Sequence, residues 1–316
     1  MDKSGVNIAF YPFMCIFVLG MQNAMLSILI PTYNYDCTRL VRDLQSQTQS
    51  LSLDYEIIVA DDASPILGCR ERNRAINTLP HCRFVELPEN VGRACIRNRL
   101  ADYARGEWLL FMDCDAEVIS DSFISDYLAH LDADVVCGGL CHSETLPSSE
   151  VSLRYAYERR ADKRRAARYR KQKPYEQFTP FNFMIRREVF QSIRFNERIV
   201  EYGYEDTLFG IALEYQKARI RHIDNPLRHL GIESNSLFLE KTRAALRNLA
   251  TMEDAMQGHS SLLRLYRLLR GIRLNGYIAR WFTSRERTIT ARLMGENASL
   301  CLFFLYKLGY YCKLKR

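Results

Sequence analysis

The chain has 316 residues, of which 47% are hydrophobic and 26% are charged, with only 15 glycines and 9 prolines. This composition excludes collagen-like, low-complexity and wholly disordered chains, and the length predicts one large domain or two small ones. The net charge of +7 comes from 44 basic and 37 acidic residues.

The N-terminal segment, residues 1–25, is apolar and stands apart from the patterns that follow. Its apolar stretch, residues 6–21, contains Pro12 and is shorter than the roughly 20 residues that a membrane-spanning helix needs. A signal peptide would begin with basic residues and end at a small-residue cleavage site, whereas here Asp2 offsets Lys3 and a strand pattern follows directly. We expect the segment to pack on the surface, or to precede the natural start if translation begins at Met21 or Met25.

Four short apolar runs follow, separated by segments of helical character. They are residues 26–30, 55–60, 82–87 and 107–112. Strands that alternate with helices indicate parallel βαβ units, and continuously apolar strands are typical of a sheet covered on both faces. The sequence therefore predicts an α/β fold with a mostly parallel, Rossmann-like sheet flanked by helices.

Polar side chains follow three of these strands, where parallel strands bring their carboxyl ends to one crevice. The clusters are Thr32, Tyr33 and Asn34, then Asp61, Asp62 and Ser64, then Asp113 and Asp115. Four carboxylates in one cleft would repel each other unless a cation or donors compensate. Asp113 and Asp115 stand two apart in an extended chain, so both side chains can face one ion, and carboxylate oxygens suit Mg²⁺ or Mn²⁺. A DxD triplet alone more often marks a solvated turn, but its place after a strand favours the metal interpretation.

In their order and spacing the motifs LSILIPTYN, EIIVADDAS, ENVGRACIRNRLADYARGEWLLFMDCDA and YEDTLFG resemble the family 2 glycosyltransferases of the GT-A fold, of the type that builds bacterial polysaccharides and other glycans. The resemblance covers about residues 26–235. It implies that Thr32, Tyr33 and Asp62 hold the base and ribose of a nucleotide sugar, with Arg93 and Asp113 near the nucleotide. Asp113 and Asp115 would bind the metal on the diphosphate. Cys114 and Ala116 stand where relatives vary, and neither is expected to be a ligand.

Local structure offers an alternative explanation for each of these neighbours. Thr32 and Asn34 could be turn and cap residues before a helix near residues 38–47, and Asp61 and Asp62 could cap the next segment. Arg93 and Arg97 could be solvated charges on a helix.

An acid pair, Glu205 and Asp206, precedes an apolar helical stretch. Acids in the first turn of a helix are favoured by its macrodipole, so a structural role is open. The resemblance instead implies that Asp206 is the general base and that Glu205 binds acceptor hydroxyls or positions Asp206. Tyr204 and Asn182 would lie on the acceptor side. A single base implies one displacement, which inverts the anomeric configuration.

Two histidines, His222 and His229, flank a short strand-like stretch. An isolated histidine is more often a core or surface residue than a ligand. The resemblance implies that one histidine completes the metal shell, and His229, followed by Leu-Gly, matches that place. An imidazole ligand fits Mn²⁺ better than Mg²⁺.

The basic segment, residues 154–173, carries ten lysines and arginines against Glu158 and Asp162, so the rest of the chain is near neutral. It could be a solvated helix. It could also face an anionic acceptor, such as a lipid diphosphate-linked oligosaccharide or an acidic glycan, or anionic membrane lipids. Tyr155, Tyr157 and Tyr169 would suit RNA, but no known nucleic-acid motif is present, so nucleic acid is not an expected partner.

Residues 236–316 form a predicted C-terminal helical region. Leu262, Leu265, Tyr266 and Leu269 form an apolar stripe at helical spacing. Residues 300–312 are almost wholly apolar and precede a basic tail, which suits either a helix at a membrane surface (residues 300–316) or a final helix over the domain's own core. The ten cysteines include no CxxC pair and no zinc spacing, which is typical of reduced thiols in a cytosolic protein.

The sequence thus predicts an inverting, Mn²⁺- or Mg²⁺-dependent glycosyltransferase that moves a sugar from a nucleotide diphosphate, with UDP-sugar favoured by family frequency, to a glycan or lipid-linked glycan. We expect it in the cytoplasm or peripherally on the cytoplasmic face of the membrane. A sugar nucleotidyltransferase is one alternative, but it needs a Gly-rich GxGTR-like loop where PTYN stands. A non-enzymatic module that binds membranes or nucleic acid through the basic segment is the other.

Overall fold

A computed structural model describes residues 25–51, 53–199, 202–296 and 298–316, so the predicted N-terminal segment lies outside the described residues except for Met25. The strands are β1 (Leu26–Thr32), β2 (Tyr55–Asp61), β3 (Cys82–Glu86), β4 (Trp108–Met112), β5 (Ala116–Glu117), β6 (Val135–Cys137), β7 (Leu140–Cys141), β8 (Asn182–Arg186), β9 (Ile220–His222) and β10 (Leu227–His229). The helices are α1 (Thr38–Ser50), α2 (Leu67–Arg74), α3 (Gly92–Tyr103), α4 (Phe123–Leu128), α5 (Ser152–Asp162), α6 (Ala167–Arg170), α7 (Arg187–Ile193), α8 (Glu205–Tyr215), α9 (Asn235–Thr251), α10 (Ser261–Gly271), α11 (Asn275–Met294) and α12 (Leu300–Leu314).

The central sheet has the strand order β3-β2-β1-β4-β8-β6-β9. Strands β1 to β4 are parallel, whereas β8 runs antiparallel to both β4 and β6. The predicted mostly parallel α/β sheet is confirmed. Because the chain crosses from β3 over to β4 on the other side of β1, the strand order reverses at β1, and a crevice opens beyond the carboxyl ends of β1 and β4.

Helices cover the sheet on both faces, which explains why β2 and β4 are buried along their whole length. On one face Val41 of α1 and Phe123 of α4 pack against the strands. On the other face Ile96 of α3, Phe190 of α7 and Phe209 of α8 form a second core. The apolar runs in the sequence are therefore buried from two sides.

A small second sheet, of order β5-β10-β7, lies at the end of β4. β10 pairs antiparallel with β5, so that His229 lies opposite Ala116, and it pairs parallel with β7. This pairing brings His229 beside the DxD triplet.

The C-terminal helices pack against one another and against α5 and α8. Phe303, Tyr306 and Tyr311 of α12 are buried, and an added Cβ on Gly309 would lie 2.5 Å from the ring of Phe282. The structure therefore supports the interpretation of residues 300–316 as a final helix that covers the protein's own core. The helices of the described residues include none with the length and apolar character needed to cross a bilayer.

Two sequence expectations about packing are refined by the structure. The predicted stripe on α10 is divided, because Tyr266 is buried whereas Leu265 is exposed, and Leu263 takes the buried place. The described cysteines are all free, as expected for reduced thiols.

Candidate active site

A cleft of about 430 Å³, here called the catalytic cleft, opens beyond the carboxyl end of β4. Its walls bring together most of the predicted site residues: Arg93, Asp113, Asp115, Tyr204, Glu205, Asp206 and His229. The carboxyl end of β4 and the N-terminus of α8 therefore supply the two groups of acids to one cleft. Thr32 is the last residue of β1, Tyr33 and Asp62 directly follow β1 and β2, and none of the three lines the cleft.

Asp113 is held by a buried arginine. Arg97, only 2% exposed, donates a hydrogen bond of 2.6 Å from Nη2 to Oδ1 of Asp113. Arg97 is thus not the solvated helix charge that local structure alone suggested. Its ion pair, buried on the arginine side, fixes one oxygen of Asp113 and leaves the carboxylate on the wall of the cleft.

Asp115 is paired with His229. Nε2 of His229 lies 3.1 Å from Oδ2 of Asp115, and the Leu230 N–H donates to the backbone carbonyl of Asp115. An added Cβ on Gly231 would lie 1.9 Å from the same Oδ2, so only glycine leaves room for the carboxylate. Burial alone would raise the pKa of Asp115, but the hydrogen bond and charge of His229, together with Arg93, outweigh it and lower the pKa.

The two histidines have different surroundings. The His229 ring contacts the rings of Phe181 and His142, at 5.2 and 5.6 Å between centroids, which fixes its orientation. His222 is fully buried, accepts from Arg170 and hydrogen-bonds the Pro174 carbonyl, and burial lowers its pKa to about 4. His222 is therefore a neutral core residue, and His229 is the histidine at the cleft.

Asp115 and His229 offer an oxygen and a nitrogen side by side, a donor set that suits Mn²⁺. No cluster of three or more candidate ligands occurs among the residues that the structure describes. Two neighbouring ligands fit a cation that takes the rest of its shell from substrate phosphates and water, as Mg²⁺-type ions commonly do.

The loops after β1 and β2 are held by internal hydrogen bonds. The Thr32 hydroxyl donates to the Tyr35 carbonyl, and the Asn34 N–H donates to Ser64 Oγ at 2.7 Å. Asn34 has a left-handed backbone with φ of 54°, as expected in a tight turn. Tyr33 is 49% exposed, so its ring is accessible. Cys114, the middle residue of the DxD triplet, is partly buried and packs against the core on the α1 side of the sheet.

Asp62 accepts hydrogen bonds from the Val91 and Gly92 N–H groups, at 2.7 and 3.0 Å. These bonds fasten the N-terminus of α3 to the end of β2, so Asp62 caps a helix further along the chain and not the next segment, α2, as local structure suggested. Burial raises the pKa of Asp62, although the two N–H donors act in the opposite direction. Any donor contact made by Asp62 would therefore come in addition to a structural role.

The acid pair lies at the start of α8, after a turn with unusual backbone. Gly203 and Tyr204 have φ of 108° and 71°, and an added Cβ on Gly203 would lie 2.6 Å from Cβ of Ala245 in α9. Burial raises the pKa of Asp206 to about 6, and the charge of Glu205 adds to the effect. A carboxylate with a pKa near neutrality is suited to accept a proton.

The catalytic cleft is also lined by a lysine, Lys307, that sequence analysis missed. Nζ of Lys307 lies 4.6 to 5.1 Å from the ring centroids of Tyr157, Phe303 and Phe304, and burial lowers its pKa to about 8. No carboxylate among the described residues forms an ion pair with it. The signal available in the sequence was one lysine within the apolar run of residues 300–312.

Asn182, predicted on the acceptor side, does not line the cleft. It is fully buried, accepts from the Tyr127 hydroxyl and donates to the carbonyls of Gly139 and Asn225. Its amide thus joins β8 to the neighbouring loops, and the expectation of an acceptor contact is corrected to a structural position.

The basic segment is divided between α5 and α6, and much of its charge is paired internally. Arg154 and Arg165 both contact Glu158, and Arg159 contacts Asp162. Arg170 is buried and donates to the carbonyls of Cys137, Gly138 and Ile223. The segment is therefore neither a simple solvated helix nor a uniformly free basic face.

The model of a protein family described as Glycosyl transferase family 2 matches residues 27–194, more than half of the chain. Two proteins of Haemophilus influenzae, each described as an uncharacterized glycosyltransferase, are 34% identical over 91 residues and 29% identical over 101 residues. These regions cover 29% and 32% of this chain, and only 29% and 40% of the relatives' own lengths.

Among solved structures, a mannosyltransferase of Pyrobaculum calidifontis, PcManGT, in complex with GDP-Man and Mn²⁺ is similar with a TM-score of 0.54 and 15% identity, over 91% of this chain and 84% of that one. Residues 1–349 of S. aureus TarS in complex with UDP-GlcNAc match with a TM-score of 0.48 and 19% identity, over 92% and 90% of the chains.

Proposed function

The chain belongs to glycosyl transferase family 2 and is a glycosyltransferase of the GT-A fold, and we propose that it transfers a sugar from a nucleotide diphosphate donor with inversion. The observation that carries the proposal is the catalytic cleft itself. It places Asp113, Asp115 and His229 in one cavity with Asp206, whose pKa is raised to about 6. Family membership argues against both alternatives, the sugar nucleotidyltransferase and the non-enzymatic module that binds membranes or nucleic acid.

On the donor side, we assign the diphosphate to the end of the cleft that holds Asp113 and Asp115. Asp115 and His229 would hold Mn²⁺ or Mg²⁺, which when bound neutralises charge on the diphosphate leaving group. Arg93 stands exposed at the cleft, its guanidinium 4.8 Å from the Tyr202 ring centroid, and would contact the nucleotide. The base and ribose would bind at the adjoining carboxyl ends of β1 and β2, beside Thr32, Tyr33 and Asp62. A UDP-sugar is the donor we favour.

In the transfer step, Asp206 accepts the proton of an acceptor hydroxyl while that oxygen attacks the anomeric carbon. The bond to the nucleoside diphosphate breaks on the opposite side, so the configuration inverts. The Thr207 N–H, 2.7 Å from Oδ1 of Asp206, holds the base in place. Burial and the charge of Glu205 keep the pKa of Asp206 high, and Glu205 and Tyr204 line the cleft, where they would orient acceptor hydroxyls.

On the acceptor side, we propose a glycan or lipid-linked glycan that carries an acidic group. Lys307 presents an ammonium group without a carboxylate partner among the described residues, and aromatic rings border it. A phosphate or carboxylate of the acceptor would form an ion pair with this ammonium group, and the apolar face of a sugar ring would pack on the aromatic rings beside it. This assignment places acceptor charge recognition on α12 rather than on the paired arginines of α5.

Calorimetric titration of UDP and GDP, with and without Mn²⁺, tests the donor assignment. We expect UDP to bind at least tenfold more tightly with Mn²⁺ than without it, and Asp115→Ala to remove that difference. The Asp206→Asn variant should bind UDP as the wild type does and fail to transfer. Full transfer by Asp206→Asn would reject the base assignment, and equal UDP affinity with and without Mn²⁺ would reject the metal assignment.

A further inference from the structure

The turn between α10 and α11 carries an exposed surface that the proposed function does not use. We call residues 261–285, at this turn, the helical tip. Six of its large apolar side chains are 41% to 68% exposed: Leu265, Leu268, Ile272, Leu274, Tyr277 and Trp281. An added Cβ on Gly271 or Gly276 would meet no atom within 4 Å, so the described chain does not cover the turn. Monomers rarely expose so many large apolar groups together, which indicates a binding surface.

The opposite face of α10 fastens the helical tip to the rest of the protein. Leu263 and Tyr266 are buried, and the Tyr266 ring lies 5.0 Å from that of Tyr311 in α12. Leu208 of α8 packs against the same cluster. The tip is therefore joined through packed side chains to the helix that begins with the acid pair.

The charge of the helical tip is entirely positive. Residues 261–285 contain six arginines and no acidic residue. Arg264, Arg270, Arg273 and Arg280 are exposed, and none forms an ion pair with a described carboxylate. Like charges would oppose docking of a second copy on this surface. An anionic bilayer fits this composition better. Its lipid phosphates would pair with the arginines, and its headgroup boundary, where Tyr and Trp are enriched, would take up the leucines and aromatic rings.

We propose that the helical tip docks on the surface of an anionic membrane. Leu268, Ile272 and Tyr277 enter the headgroup region, and the neighbouring arginines contact lipid phosphates. This surface differs from residues 300–316, for which the sequence suggested a membrane role, because Phe303, Tyr306 and Tyr311 of α12 are buried against the rest of the protein. The packing through Leu208 would hold the catalytic cleft at a fixed position relative to the bilayer.

Sedimentation of the full chain with lipid vesicles tests the proposal without any donor or acceptor. The vesicles contain phosphatidylcholine alone or an equal mixture with phosphatidylglycerol. Wild type should sediment with the mixed vesicles only. The triple variant Leu268→Ser, Ile272→Ser, Tyr277→Ser should lose binding. The triple variant Arg270→Gln, Arg273→Gln, Arg280→Gln should bind about a hundredfold more weakly, since each arginine near an anionic surface strengthens binding about fivefold.

The matched control is Leu305→Ser with Leu314→Ser, two exposed leucines on α12, which should bind as the wild type does. All substitutions lie at exposed positions, so unchanged thermal unfolding midpoints verify the fold. Failure of the wild type to bind mixed vesicles, or wild-type binding by either triple variant, would overturn the proposal. So would a tip variant that changes only self-association in size-exclusion chromatography, because the surface would then be an interface between copies.

Discussion

Nε2 of His229 lies 3.1 Å from Oδ2 of Asp115, although 114 residues separate them along the chain. The pairing of β10 with β5 brings them together, and the missing side chain of Gly231 leaves space for the carboxylate. The candidate metal site therefore depends on the small second sheet as much as on the DxD triplet.

The first prediction concerns Gly231→Ala. The new Cβ would lie 1.9 Å from Oδ2 of Asp115, so the carboxylate must move away from His229. We expect the Mn²⁺-dependent part of UDP binding to weaken at least tenfold, measured by calorimetry. Gly276→Ala is the matched control, because its Cβ meets no neighbour. Wild-type UDP affinity in Gly231→Ala would contradict a role for Asp115 in holding the cation.

The second prediction is the pH dependence of transfer. Asp206 must be ionised to accept a proton, and its pKa is about 6, so kcat should fall about tenfold per pH unit below that value. Glu205→Gln removes the neighbouring negative charge and should move the acidic limb to lower pH. Thr207→Val removes a hydroxyl that lowers the pKa of Asp206 and should move the limb to higher pH. Shifts of kcat profiles in the same direction for both variants would refute the assignment.

The third prediction is that ionisation of Asp206, the candidate base, lowers the free energy of unfolding. The pKa of Asp206 is raised from 3.8 in the reference state to about 6 in the fold, so its ionised form is disfavoured by folding. Stability is therefore lost as pH rises from about 4 to about 6, by up to about 3 kcal/mol. Asp206→Asn keeps an acceptor for the Thr207 N–H and stays neutral. Its thermal unfolding midpoint should exceed that of the wild type at pH 7.5, with no gain below pH 4; an equal midpoint at pH 7.5 would argue against a raised pKa.

The fourth prediction concerns Lys307 and acceptor charge. A charge-assisted contact contributes about 1.5 to 3 kcal/mol, so Lys307→Gln should lower kcat/KM about 10- to 100-fold for an acceptor with a phosphate or carboxylate. The same variant should leave the neutral analogue unaffected. Burial lowers the pKa of Lys307 to about 8, so the wild-type preference for the charged acceptor should decline above that pH.

Lys313→Gln, on the same helix but paired with Glu286, is the control for Lys307→Gln. Both acceptors of a matched pair, such as methyl glucuronoside and methyl glucoside, would be compared in one transfer assay. An equal loss for both acceptors would mean that Lys307 supports packing rather than charge recognition.

The sequence alone determined the first four strands, the helices between them and the helical C-terminal region, because each of these signals was local. Continuous apolar runs predicted the buried strands, and the polar residues directly after them marked the sheet edge where the cleft opens. Asp113 and Asp115 were found in this way, and Glu205 and Asp206 by their place before an apolar helical stretch, with the family resemblance supplying the proposed roles of all four. His229 was chosen over His222 by resemblance alone.

Only the tertiary structure decided which side chains meet across the chain. Arg97 pairs with Asp113, Asn182 is buried by three distant partners, and Lys307 reaches Tyr157 from the last helix. Such contacts depend on how helices and sheets stack, and periodicity gives the apolar face of a helix without saying what covers it. For that reason α12, which composition could equally place at a membrane, packs one face against the core through Phe303, Tyr306 and Tyr311, whereas the arginine-rich turn after α10 leaves large apolar side chains exposed.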